Sequence, residues 1–229
     1  MPRSLVLVAT VFALHSPAEA QVGRIADQGS FTISMNGRTA GRENFRISAI
    51  GGGDITEYLA RGEVTYGDRR VTPELLRTTP EGAVVEYKVT TRSGATTESW
   101  EGASARSRFG VRIVSARGTS VREHIIPAGA ILLDDEVIHH HWFLVHRTRS
   151  GSIPVVVPRR SDVQARVSMT TVGDETLQIG NHGIPATHIR ATVDGGEVHD
   201  IWVDKSGRLL KVALPGRNLV AVRDDPPPA

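Results

Sequence analysis

After its first twenty residues this chain consists largely of short runs in which apolar and polar residues alternate, each closed by turn-forming residues. A period of two sends every second side chain to the same face, so each run reads as a strand with one face buried, and tight turns make neighbouring strands antiparallel. "SFTISMNG" sets the pattern: Phe31, Ile33 and Met35 alternate with Thr32 and Ser34, and Asn36-Gly37 supplies the positive-φ pair of a type I′ hairpin. The returning strand has a parity conflict. A two-residue turn places even positions such as Ala40 opposite the odd core residues, yet Phe45 and Ile47 are odd. One inserted residue restores the register, which predicts a bulge at or beside Gly41.

Further strands are expected at "DITEYLARGEVTYG", at "AVVEYKVTTR" with Ala83, Val85, Tyr87 and Val89 on one face, and at "TTESWEG", "RFGVRIVSA" and "TSVREHII". Among them, "VTPELLRTTPEG" reads as one turn of helix, with Thr72 as cap, Pro73 in the first position and Pro80 as stop. The C-terminal third is a meander, with turns at Asp194-Gly195-Gly196, Asp204 to Gly207 and Pro215 to Asn218. The closing "DDPPPA", residues 224–229, is expected to be a disordered tail.

The first twenty residues differ. Arg3, an apolar run from Leu5 to Leu14 and Ala18-Glu19-Ala20 form the pattern of a secretory signal peptide cut before Gln21. Its run is about ten residues, short of the roughly 20 that span a bilayer, and no later segment approaches that length. The expected product is periplasmic or secreted, without a transmembrane segment. The chain has no cysteine, which leaves neither a lipid anchor nor a disulfide framework, and residues 21–223 are expected to fold as a single β-rich domain around a packed core. Lys and Arg total 27 against 25 Asp and Glu. With no basic stripe and no interleaved aromatics, nothing points to nucleic acid.

One stretch stands apart from the strands. "LDDEVIHHHWFLVHR", Leu133 to Arg147, holds four of the nine histidines. Read as a strand, it puts His139 and His141 on one face, where they could chelate a metal with a third ligand from a neighbour. Read as a helix, Leu144, Val137, His141, Val145, Ile138 and Trp142 form one arc, with His139, His140, His146 and Arg147 opposite and Phe143 the exception. Asp134 stands where an N-cap belongs, acids follow in the first turn, and His146 and Arg147 lie at the end. The ends favour the helix. The i, i+4 histidine pair of helical metal sites is missing, so the reading is an amphipathic helix with His139 and His140 toward solvent and no metal. On the later strands, Ile189, Ala191 and Val193 form an apolar side. A two-residue turn would align Val198 and Trp202 with it and leave His188, Arg190 and His199 on the polar side.

The opening "GSFTISMNGRTAGRENFRI", the "LDD" helix ending in "LVHR" and the "WVDKSGRLLKV" hairpin together resemble exported bacterial domains of unknown function. Their fold is similar to that of the lipoprotein-localisation factors LolA and LolB. The resemblance, from about Gly29 to Arg223, implies a mainly β fold: a curved antiparallel sheet forming an open half-barrel, with one amphipathic helix packed on the concave face. It implies a cup for an acyl chain or other apolar ligand, and carries over no catalytic residue.

Two functions follow. The first is a binding or carrier module for a lipid or other apolar small molecule held between sheet and helix, with Val137, Ile138, His141, Trp142, Val145 and Trp202 as the ligand-binding residues. The second is a cell-envelope interaction module, whose cup is filled by its own side chains and which recruits a protein partner at a sheet edge or hairpin tip. No nucleophile elbow, HExxH, phosphate loop or dinucleotide fingerprint is present, so neither catalysis nor a cofactor is expected. A metal-assisted hydrolase using His139 and His141 is the one enzyme that can be drawn. The paired acids Asp134-Asp135 and Asp224-Asp225 are explained by helix capping and a solvated tail.

Overall fold

The computed structural model describes residues 23–51, 54–147, 151–160 and 164–228; the expected signal peptide lies outside the described residues. Strands make up 67% of the described residues. In chain order they are β1 (Arg24–Met35), β2 (Arg38–Ile50), β3 (Glu57–Tyr66), β4 (Arg69–Thr78), β5 (Val84–Ser93), β6 (Thr96–Ala105), β7 (Arg108–Ser115), β8 (Gly118–Ile125) and β9 (Ile131–Leu132). They continue with β10 (Ser152–Val156), β11 (Gln164–Ile179), β12 (His182–Val193), β13 (Val198–Val203), β14 (Leu209–Leu214) and β15 (Leu219–Arg223). A 3-10 turn, Ile138–His140, runs into the short helix α1, His141–His146.

All fifteen strands form one curved sheet that does not close, in the order 8-7-6-5-4-3-2-1-15-14-13-12-11-10-9. Every pairing is antiparallel except that of β9 with β10. From β1, mid-sheet, the chain runs out to β8, crosses the concave side through residues 126–147 and, from β10 on, returns strand by strand to β1. The architecture is the open half-barrel with one helix on its inner side. No helix among the described residues is long and apolar enough to cross a membrane.

Side-chain parity decides which residues fill the cup. Asn36 and Gly37 have φ of 51° and 73°, as the type I′ turn requires. Ile33 pairs with Gly41 and Ser34 with Thr39, leaving Ala40 as the inserted residue beside Gly41. A Cβ on Gly41 would stand 1.9 Å from the Thr65 carbonyl oxygen, so only glycine fits. The bulge brings Phe45 and Ile47 inward with Phe31 and Ile33, and Phe31 stacks on Phe45 at 5.3 Å.

Two local expectations need correction. "VTPELLRT" is strand β4 and not a helical turn. Pro73 pairs with Val89 and Leu75 with Lys88, so Glu74 bulges out, which is how a strand tolerates a residue without an N–H. Burying Val71, Pro73, Leu76 and Thr78 in the sheet outweighs one turn of helix, which is unstable on its own. In β5, Val85 is itself the inserted residue, so Val84, Tyr87 and Val89 face inward and Ala83 and Val85 do not.

At the chain's end, Asp224 joins the sheet. Its N–H donates to Ser30 O at 2.9 Å, and its carboxylate accepts the hydroxyls of Ser30 and Thr32 at 2.5 and 2.6 Å.

Candidate functional site

The segment from Asp134 to Arg147 crosses the cup, and its helical part starts three residues later than the sequence pattern places it, with Val137 at the N-cap position. Asp134 is not its cap. Glu43, fully buried on β2 at the inward parity of Phe45, accepts the Ile138 N–H at 2.7 Å and the His139 N–H at 2.8 Å. It also accepts His139 Nδ1–H at 2.8 Å. A carboxylate from the sheet thus satisfies the free donors of the turn and complements its positive end.

Asp134 instead accepts the Tyr87 hydroxyl, the Glu136 N–H at 3.0 Å and two guanidinium bonds from Arg159. Burial, and then the neighbouring Asp134 charge, push the Tyr87 hydroxyl well above its usual range, so Tyr87 stays a donor. Glu136 binds Arg69 through two bonds of 2.8 Å and Arg159 at 2.6 Å. Asp135 pairs with Arg160 and Arg217, and both arginines also hold Glu197. The "DDE" acids are interleaved with four arginines drawn from β4, the loop after β10 and the turn before β15. These charges neutralise one another and lock the segment's entry to the rim.

His139 and His140 are fully buried, which corrects the solvent-facing expectation, and their rings meet edge to face at 4.8 Å. A Cβ on Gly62 would come within 3.1 Å of the His139 ring, so β3 passes close beneath it. His140 Nδ1 accepts the Asp134 N–H at 3.2 Å. His141 Nδ1 donates to the Ile138 carbonyl at 2.9 Å, which makes its Nε2 the acceptor for His199 Nδ1–H, also at 2.9 Å. Burial, followed by the positive charge that His199 would carry, lowers the His141 pKa to about 3. Burial likewise lowers His140 and His199. His140, His141 and His199 are thereby held neutral. Only His146 and Arg147 of the predicted polar side reach the surface. The amphipathic pattern misled because the segment is enclosed: its polar side meets buried polar partners instead of water.

Of the predicted ligand residues, Val137, Ile138, His141, Trp142 and Val145 are brought together in the main core with Phe143 and Leu144. Trp202 is not among them. The turn after β12 has three residues, Asp194 to Gly196, with Val193 N–H donating to Glu197 O at 2.8 Å, and this reverses the predicted parity of β13. His199 therefore pairs with Ala191 on the core side, and Trp202 pairs with His188 on the outer face. There Trp202 stacks on His188 at 4.3 Å, lies under Lys211 and packs with Ala186 and Leu210. Among the described residues no three His, Asp or Glu are placed to hold a metal ion; His139 turns to Glu43 and His141 to His199.

The two edges of the sheet differ. At one end, β9 is two residues long and fully buried. At the other, β8 exposes nearly its whole length, with Val121 at 74% and Ile125 at 65% exposure. Ile126 N–H donates to Ser107 O at 2.8 Å, so Ser120, Arg122 and His124 bond to β7, and the N–H and C=O of Thr119, Val121, Glu123 and Ile125 point away from it. Sequence reading found the β8 strand but not its edge position, which depends on the order of the whole sheet.

Comparison of the chain with protein-family models, curated proteins and solved structures finds no match, so a resemblance to LolA and LolB assigns no ligand or residue role here.

Proposed function

We propose that this protein is a cell-envelope interaction module, a half-barrel with a filled cup that recruits another polypeptide along β8. The observation that carries this reading is the asymmetry of its edges. Exposed edges invite pairing, and proteins commonly shorten or cover them. Here β9 is short and buried, whereas β8 offers an eight-residue edge on which four residues turn their donors and acceptors outward and two large apolar side chains stand in the open.

The apolar-carrier reading requires the cup to admit a guest. Val137, Ile138, Trp142, Phe143, Leu144 and Val145 already fill it at 5% exposure or less. Lifting them into water costs on the order of 10 kcal/mol at about 1.5–3 kcal/mol each, comparable to the whole stability of an ordinary domain. A plug that costs as much as unfolding behaves as core.

The test is site-specific photo-crosslinking in the native host, with the photoreactive residue at Thr119 or, as control, at Lys205 on the β13–β14 turn. The expected result is a discrete protein adduct from position 119 that is lost when Val121 is changed to proline. Absence of such an adduct, together with a co-purifying apolar mass lost in Trp142→Asp, would overturn the reading in favour of a carrier.

A further inference from the structure

We infer that the β8 edge selects an extended acidic segment of its partner, which docks as an additional antiparallel or parallel strand; this inference rests on the edge being the working surface. Residues 105–125 carry five arginines, Arg106, Arg108, Arg112, Arg117 and Arg122, against one acid, Glu123, in a chain whose charges otherwise nearly balance. All five are exposed. Arg108 is paired with Glu123 at 2.7 Å and Arg112 with Glu101 at 3.6 Å, while among the described residues Arg106, Arg117 and Arg122 have no acidic partner.

Their placement follows the edge. Arg117 lies in the turn at the start of β8, and Arg106 in the turn beside its end, with a φ of 57°. Arg122 sits midway on the concave side, its guanidinium 5.7 Å from the Trp100 ring. Arg108 and Arg112 stand one strand behind the edge on the convex side, opposite Ile125 and Val121. A strand added to β8 would find backbone partners at Thr119, Val121, Glu123 and Ile125, apolar contacts at Val121 and Ile125, and positive charge at both ends and on both faces. Alternating apolar and acidic residues match that surface.

Other occupants fit less well. A second copy paired along β8 would bring two arginine-rich hairpins together, and like charges across strands are destabilising. An anionic membrane would meet the arginines but cannot pair with four sets of outward backbone groups.

The experiment uses fluorescence anisotropy with labelled peptides of about eight residues, the length of β8, alternating valine with glutamate, serine or lysine. The expected result is saturable binding of the glutamate peptide, at least about tenfold tighter than the serine peptide and weakening with added salt. Val121→Pro should abolish it, and Arg117→Glu combined with Arg122→Glu should weaken it at least about tenfold. If the serine or lysine peptide binds as well as the glutamate peptide and is still lost in Val121→Pro, the edge stands and the acidic preference falls. If no peptide binds in a Val121-dependent way, both fall. Binding to phosphatidylglycerol vesicles that Val121→Pro leaves unchanged, without peptide binding, would identify a membrane surface instead.

Discussion

Glu43 and Asp27 are acids at inward positions of strands, where a side chain of either kind is costly unless fully partnered. Glu43 accepts three donors from the crossing segment. Asp27 accepts Arg223 Nη1–H at 3.0 Å and the Leu209 N–H at 3.1 Å, tying the chain's first strand to its last. Replacing Glu43 with alanine strands those three donors and should cost about 3–9 kcal/mol at roughly 1–3 kcal/mol per unsatisfied group. Glu43→Gln keeps one acceptor oxygen and should cost less than half as much. Urea midpoints of the two variants check this, and an alanine variant as stable as the parent would disprove the cap. Both acids share parity with Phe45 and Ile47 or Phe31 and Ile33, so their inward position was legible once the Gly41 bulge was placed. Their partners were not, because Ile138 lies 95 residues from Glu43 in sequence. Trp142 and Trp202 make the complementary case: two tryptophans expected in one site lie on opposite faces. Trp142→Ala should cost about 3–5 kcal/mol as a core cavity, and Trp202→Ala, on the outer cluster, clearly less.

At the scale of elements, strand existence followed from alternation, while turn length and bulges decided which residues face inward. The hairpin at Asn36-Gly37 came out as read because a two-residue turn and one inserted residue fix the register locally. The β12–β13 pair did not, because Asp194 to Gly196 form a three-residue turn and one residue exchanges the two faces. Pro73 signalled a helix start in sequence but marks a bulge in β4, since only the neighbouring strands reveal that its missing N–H is not needed. The ladder phase of β8 makes a sharp prediction of its own. Val121→Pro removes an outward N–H and should change stability by less than about 1 kcal/mol, whereas Arg122→Pro removes a bond to β7 and should cost about 3 kcal/mol. Thermal or urea unfolding of the pair distinguishes them, and a larger loss for Val121→Pro than for Arg122→Pro would mean that the edge has the opposite phase.

For the whole molecule, a sheet that does not close is stabilised by a segment of its own chain, and that segment carries His140 and His141 held neutral by burial. His141 has a folded pKa of about 3 against an unfolded value of 6.5, and His140 and His199 shift in the same direction. The unfolded chain therefore binds more protons below about pH 6.5, so stability is full above that value and falls as pH drops toward the folded values. Between about pH 6.5 and 5, where carboxylates contribute little, the unfolding free energy should come to decline by at least about 1.4 kcal/mol per pH unit. A flat profile there would mean that the imidazoles are not buried and neutral.

The claim that the crossing segment is core, leaving the β8 edge as the working surface, is tested most directly by native-state hydrogen exchange resolved residue by residue. The amides of Ile138 and His139, bonded to Glu43, should exchange only with global unfolding and track its denaturant dependence. Those of Thr119, Val121, Glu123 and Ile125 should exchange fast. Exchange of Ile138 and His139 through a local opening several kcal/mol cheaper than global unfolding would contradict the account, because a segment that leaves the cup so readily would be a lid over a binding site.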